Sequence, residues 1–455
     1  MARLACMLVL WAVALLPTTA ETLPAVKKDN LAVISAKLRK GSFPSTLQKR
    51  DTISAPALSD DGSYLMNISI GTPPQPVGMV LDTLDTTFMV MYPGPNTNCS
   101  AHHHCEEMGY FDPRNSSTFA TTEHNWEGLD DSFDGSDTVT VGGAKLSDVS
   151  LGLVTINGPY SYNLLGIGPD NRSFPYQLVD SGLISTPSFS AWRNPNTTNE
   201  GEIIFGGINS AKFIAPLHAF SFKDIISFPV HGIQIKLANG ITSQTESNSQ
   251  NSTITSTIPV ARFPLYSRYI TTNLPRAMTM DLYAALNLSS FQWENGYWPP
   301  PQVPCTRRSE NHTIAFLIGN TTIPISWSAF LSEEYNDPET CSFYITPSDD
   351  DKGSWTGILG SLFLSNIYLA VDYNSMMVGI APLNKNPGSD EIFEMKTSSP
   401  QIPQAVGDFP PTVTAYAPAP TENPTTETSS GLAAMRTAAP GLLPGVVGAV
   451  VLAII

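Results

Sequence analysis

Basic residues and cysteines are scarce in this chain: its 455 residues include 24 Lys and Arg against 40 Asp and Glu, and only five Cys. Between residues 51 and 429 the imbalance sharpens to 38 acidic against 15 basic residues, and so negative a body argues against nucleic acid as a partner. The HExxH signature of zinc peptidases and the GxSxG elbow of serine hydrolases are both missing, so those chemistries lack their minimum residues. The closing apolar run, LLPGVVGAVVLAII, stops at 14 residues, short of the roughly 20 that a spanning helix needs. Long helical periodicity is absent too. What fills the chain is 38 Pro, 32 Gly and many short runs rich in Val, Ile, Thr and Tyr, a pattern that predicts an all-β body. At this length two lobes with appendages are expected.

The two ends read as processing signals. Residues 1–20 pair Arg3 with an apolar run and small residues at Thr18-Thr19-Ala20, which predicts a cleaved signal peptide. Residues 21–50 hold seven basic groups against two acidic ones and end in Lys49-Arg50, as expected of a basic pro-segment cut after Arg50. We expect an N-terminal lobe over 51–215, a C-terminal lobe over 216–384 and a stalk over 385–429. Eighteen of the 34 residues from Thr397 to Ser430 are Ser, Thr or Pro, a composition unable to bury a core. The small triplet Ser429-Ser430-Gly431, a ten-residue spacer and the apolar tail match a GPI-attachment signal over 430–455, with Ser429 as the preferred attachment residue. A short transmembrane helix is the alternative, and it lacks both length and basic flanks.

Export also frames the cysteines. Cys6 leaves with the signal peptide, and Cys99, Cys105, Cys305 and Cys341 remain. An even number in an oxidising compartment implies two disulfides, for which nearest-neighbour pairing is the simplest of three connectivities. Nine sequons, at Asn67, Asn98, Asn115, Asn171, Asn196, Asn251, Asn287, Asn311 and Asn320, agree with a secretory route. The expected location is the extracellular face of the plasma membrane, held by a GPI lipid, with transfer to a cell wall as a further step.

From about Tyr64 to Leu383 the body resembles the pepsin family of aspartic endopeptidases, in particular its GPI-anchored, yapsin-like fungal members. The likeness rests on YLMNISIGTPPQPVGMVLDT, CSAHHHCEEMGYFDPRNSSTF, LLGIGPDNRSFPYQLVDSGLISTPSFS, GEIIFGGIN and ILGSLFLSNIYLAVDYNSMMVGIA, in that order. It implies a bilobal all-β fold with a cleft between the lobes. Each lobe then offers an Asp-Thr/Ser-Gly loop braced by an apolar-apolar-Gly strand. Both braces are present, as Leu164-Leu165-Gly166 and Ile358-Leu359-Gly360. The loops depart from the pattern. The first runs Asp82-Thr83-Leu84-Asp85, with Leu84 at the glycine position. Anchored on Asn273-Leu274-Pro275, the second falls on Tyr266-Ser267-Arg268, with a tyrosine at the second catalytic position. Asp180-Ser181-Gly182 matches the motif as a string but lies in a segment that resembles a surface helix end.

Two carboxyls at close range cannot both ionise, so one serves as acid and the other as base toward a shared water. Tyr266 removes that split, because a phenol titrating near 10 is a poor proton shuttle in acid. Leu84 is expected to strain or remodel a loop that favours positive φ. Arg268 is expected to reach Asp82 or Asp85, form a salt bridge and depress the acids' pKa values. A surrogate dyad of Asp82 with Asp85 is disfavoured, since a catalytic pair must flank the water and the scissile carbonyl. Trp126, near the family's flap tyrosine, is a candidate lid, and the acids around it form a candidate selector of cationic ligands or a solvated hairpin. The His102-His103-His104 run as a metal site is less expected than a Cys99–Cys105 disulfide, so neither metal nor cofactor is expected. Arg307-Arg308 reads as exposed loop residues rather than a processing site.

Three functions compete. The first is an anchored, monomeric pseudo-peptidase that holds a peptide or protein in its cleft. The second is an acid endopeptidase pairing Asp82 with an unconventional partner. The third is a structural wall glycoprotein.

Overall fold

The computed structural model describes residues 33–40, 64–94, 108–122, 133–156, 162–194, 201–238, 242–243, 253–255, 261–289, 298–334, 337–348, 357–397 and 402–407. Strands dominate, as the short β-branched and aromatic runs predict, and the fold is the bilobal all-β one. Strand Tyr64–Ile70 alternates between core and outer faces over most of its length, whereas Ile367–Asp372 is buried throughout. A strand covered on both sides can be apolar at every position, and IYLAVD nearly is.

A 14-stranded sheet carries the first lobe and continues into the second through Ile367–Asp372, Met377–Pro382 and Leu217–Ser221. The second lobe's own sheet is built around Ser227–Lys236, which pairs with Ala261–Pro264 and Thr313–Ile318. Helix Arg276–Ala285 turns Met278, Thr279, Leu282 and Tyr283 inward, one face at helical spacing. It is followed by Asn287 at φ 51°, a left-handed position asparagine tolerates. Cys305 and Cys341 form a disulfide between neighbouring segments of this lobe, while Cys99 and Cys105 lie outside the described residues.

Two segments sit differently from the sequence-based division. Strand Ile34–Lys40, within the expected pro-segment, lies between Gly201–Phe205 and Tyr64–Ile70 and hydrogen-bonds to both. Two short strands and buried residues fall within the stretch 385–429 expected to be a stalk. Ile392–Glu394 pairs with Gly207–Asn209, Ala405–Gly407 runs parallel to Leu217–Ser221, and Met395 and Ile402 are buried. Three-residue strands carry too little periodicity to be seen in a sequence, and the Ser/Thr/Pro enrichment itself begins only at Thr397.

Candidate active site

The first loop is delivered by strand Gln75–Asp82, whose last three residues run parallel to Leu164–Gly166, so that Leu81 faces Leu165 and Asp82 faces Gly166. The second lobe repeats this arrangement. Leu265 bridges Leu359 in parallel, and the Tyr266 N–H donates to the Leu359 carbonyl at 2.9 Å. The register therefore puts Tyr266 in the second lobe where Asp82 stands in the first. Both braces need their glycine, since a Cβ on Gly166 would lie 2.5 Å from Thr87 N and one on Gly360 2.3 Å from Thr271 O.

Between the loops the lobes lock symmetrically. The Thr83 N–H donates to Ser267 Oγ at 2.9 Å and the Ser267 N–H to Thr83 Oγ1 at 3.1 Å. Each hydroxyl donates across to the opposite strand, Thr83 to the Leu265 carbonyl at 2.7 Å and Ser267 to the Leu81 carbonyl at 2.7 Å. Both residues are about 1% exposed. Four buried hydrogen bonds thus fix the two loops against each other without any contribution from residues 266 and 268.

Asp82 is 3% exposed. Its Oδ1 accepts the N–H groups of Leu84 (2.8 Å) and Asp85 (3.2 Å), and its Oδ2 lies 3.4 Å from Arg268 Nε. The expected depression of its pKa does not occur. Loss of hydration on burial is the largest influence and raises the Asp82 pKa, outweighing the Leu84 N–H, the Arg268 charge and the Asp85 N–H, which lower it. Asp85 turns to its own loop, where Oδ1 accepts from Thr86 N, Thr87 N and Thr87 Oγ1. Among the described residues of the first lobe, that geometry gives no facing pair of Asp82 and Asp85 carboxyls.

Leu84 also departs from expectation. It is not among the described residues at positive φ, and its side chain is 37% exposed. The N–H still reaches Asp82 Oδ1, so the loop keeps the hydrogen bond a glycine would make and turns the leucine outward.

Tyr266 is half-buried, its ring centroid 5.5 Å from that of Tyr269. Burial raises its phenol pKa first, then the neighbouring Tyr269 and Asp82, which removes it further from proton transfer in acid. The Arg268 guanidinium is held at a second point, donating through Nη1 to the Tyr162 hydroxyl, with Cζ 5.4 Å from that ring's centroid. Tyr162 was not visible as a site residue in the sequence, because it belongs to no motif and meets Arg268 only through the fold.

The remaining candidates lie away from this centre or outside the described residues. Asp180-Ser181-Gly182 ends the surface helix Phe174–Asp180, with Gly182 at φ 69°. Arg307 is bound to the Glu310 carboxylate and the Leu286 carbonyl, and Arg308 to Glu333 and the Leu331 carbonyl. Asn67, Asn115, Asn171, Asn287, Asn311 and Asn320 are all exposed. Lys49, Arg50, Asn98, Cys99, His102 to His104, Cys105, Trp126, Asn196, Asn251 and Ser429 lie outside the described residues.

Comparison with known proteins agrees with this geometry. A model of the eukaryotic aspartyl protease family matches residues 63–383. The chain belongs to that family. Its relatives include the probable aspartic-type endopeptidase opsB of Aspergillus oryzae, 26% identical over 420 residues that cover 85% of this chain and 83% of the relative. Yapsin-3 of Saccharomyces cerevisiae is 25% identical over 378 residues, 76% of this chain and 71% of the relative. Barrierpepsin of the same yeast is 24% identical over 369 residues, 71% and 60% of the two chains. These relatives put the chain in the fungal pepsin-like branch. Positions 84, 266 and 268, where the sequence departs from the resemblance, lie on the two loops that the Thr83–Ser267 hydrogen bonds join, beside the braces Leu164–Gly166 and Ile358-Leu359-Gly360.

Proposed function

We propose that this protein is a GPI-anchored surface glycoprotein whose pepsin-like cleft binds a peptide or protein without efficient hydrolysis. The observation that carries the reading is the occupant of the second catalytic position. Tyr266 stands at the position that mirrors Asp82, close enough for the Asp82 charge to act on its phenol, and a cation, Arg268, lies 3.4 Å from Asp82 Oδ2. With a phenol instead of a second carboxyl at that position, no pair of carboxyls shares one proton over a bound water, so the acid-base split has no basis here. The fold that would grip an extended chain is retained, since the lock of Thr83 with Ser267 keeps the two loops in place.

Export, removal of the segment ending at Lys49-Arg50, glycosylation at the nine sequons and attachment at Ser429 to the outer face of the plasma membrane complete the proposal. Six of those asparagines are exposed, as glycan acceptors must be. A second reading, an acid endopeptidase built on Asp82, is favoured by the retained loop geometry around that residue and by relatives named as endopeptidases. The two are separated by incubating protein processed after Arg50 with a peptide library at acidic pH and analysing retained and released peptides by mass spectrometry. Retention without new termini supports the binding cleft. New termini that vanish in Asp82→Ala support the endopeptidase.

A further inference from the structure

Arg268 replaces a glycine with a long cation, and a side chain with that much freedom stays on one carboxylate only if something else holds it. Tyr162 supplies the second hold. Its hydroxyl accepts from Arg268 Nη1 and its ring lies beside the guanidinium, 5.4 Å from Cζ, a cation over a π face. Tyr162 is itself set on a fixed base. The next residue, Asn163, is fully buried; its Oδ1 accepts from Met91 N at 2.8 Å and its Nδ2 donates to the carbonyls of Gly78 and Gly109 at 3.0 Å. The brace Leu164–Gly166 follows directly.

We propose that Tyr162 is a positioning residue that seats Arg268 on Asp82, making Tyr162, Arg268 and Asp82 a built-in cross-lobe latch on the cleft floor. The path runs from the first lobe (Tyr162) to the second (Arg268) and back to the first (Asp82), so the latch ties the two lobes together at Asp82. It rests on the reading of a silent cleft but concerns the charge state of Asp82 rather than turnover, so either can fail alone. Among the described residues, the charged and titratable groups bearing on Asp82 are Arg268, Asp85 and Tyr266, and Tyr162 acts on it through Arg268.

The test follows the aspartate carboxyls of the full chain by 13C NMR, with the Asp82 signal assigned by its loss in Asp82→Asn. Arg268→Gln is expected to raise the Asp82 titration midpoint by about one unit or more, the usual effect of losing an opposite charge at this range. Tyr162→Phe, which keeps the ring and removes the hydroxyl, is expected to move it the same way by less, and Tyr162→Leu by more than Tyr162→Phe. In the Arg268→Gln background neither Tyr162 change is expected to add anything, because Tyr162 has lost the group it acts through. A midpoint unmoved by both Tyr162 variants overturns the latch. So does a shift of the same size with and without Arg268.

Discussion

If two residues silence an otherwise intact protease scaffold, changing both back should restore turnover, and Tyr266→Asp with Arg268→Gly is that perturbation. The register of Leu265 against Leu359, matched to Leu81 against Leu165, gives an aspartate at 266 the backbone position that mirrors Asp82. Removing the guanidinium 3.4 Å from Asp82 Oδ2 frees that carboxyl to share a proton with its new neighbour. Burial already raises the Asp82 pKa, and a second carboxyl raises one member of the pair further. One acid-base partner contributes about 10² to 10⁴ in rate, or about 3–5 kcal/mol of barrier. The assay is kcat/KM on a fluorogenic peptide selected from the library, at pH 3 to 6, for the wild type, each single variant and the pair. The double variant is expected to exceed the wild type by about 10² or more, with the gain lost on adding Asp82→Ala. A double variant that folds with an unchanged circular dichroism spectrum, binds a statine-type inhibitor and still turns over no faster than the wild type would mean that residues 266 and 268 do not silence the cleft.

Three further outcomes follow from the same contacts. Ser267→Ala leaves the Thr83 N–H and the Leu81 carbonyl without their buried partner, at a cost of about 1–3 kcal/mol for each; urea unfolding reads this, and Ser267→Thr, which keeps a hydroxyl, is expected to lose less. Because burial raises the Asp82 pKa above its unfolded value, its protonation stabilises the fold fully below the unfolded value near 3.9, and that stabilisation is lost as pH rises through the folded one. The stability of Asp82→Asn relative to the wild type is therefore expected to rise between pH 4 and neutrality; a fall would mean that Arg268 outweighs burial. Ending the chain after Leu383 removes Ile392, Met395 and Ile402 from the core, about 5 kcal/mol or more at 1.5–3 kcal/mol for each buried side chain, and such a chain is expected not to accumulate folded on secretion.

The scaffold was legible because its residues act in sequence-local groups. An apolar strand ending in Asp-Thr, two apolar-apolar-Gly braces and an Asn-Leu-Pro ahead of MDLYAAL each keep their own spacing, and together they locate Tyr266 without any structure. What could not be read are the features decided by packing. Leu84 suggested strain because glycine usually fills that place, yet the backbone stays out of the positive-φ region and the side chain turns toward solvent. Arg268 suggested a depressed acid because a cation is the visible partner, whereas the desolvation that outweighs it depends on walls contributed from across the chain. Tyr162 carries no motif, and only the fold brings it to Arg268, 106 residues away. The strands inside the expected stalk were hidden for a related reason: Ile392–Glu394 and Ala405–Gly407 become strands only through partners nearly 200 residues earlier.

Asp82 without a partner carboxyl at 266 cannot carry peptide hydrolysis. The most direct measurement compares kcat/KM of the processed wild type and of Asp82→Ala on the same peptides from pH 3 to 6. The two are expected to coincide at the background rate at every pH. A wild type faster than Asp82→Ala by about 10² or more, the contribution of a working acid-base group, would contradict it.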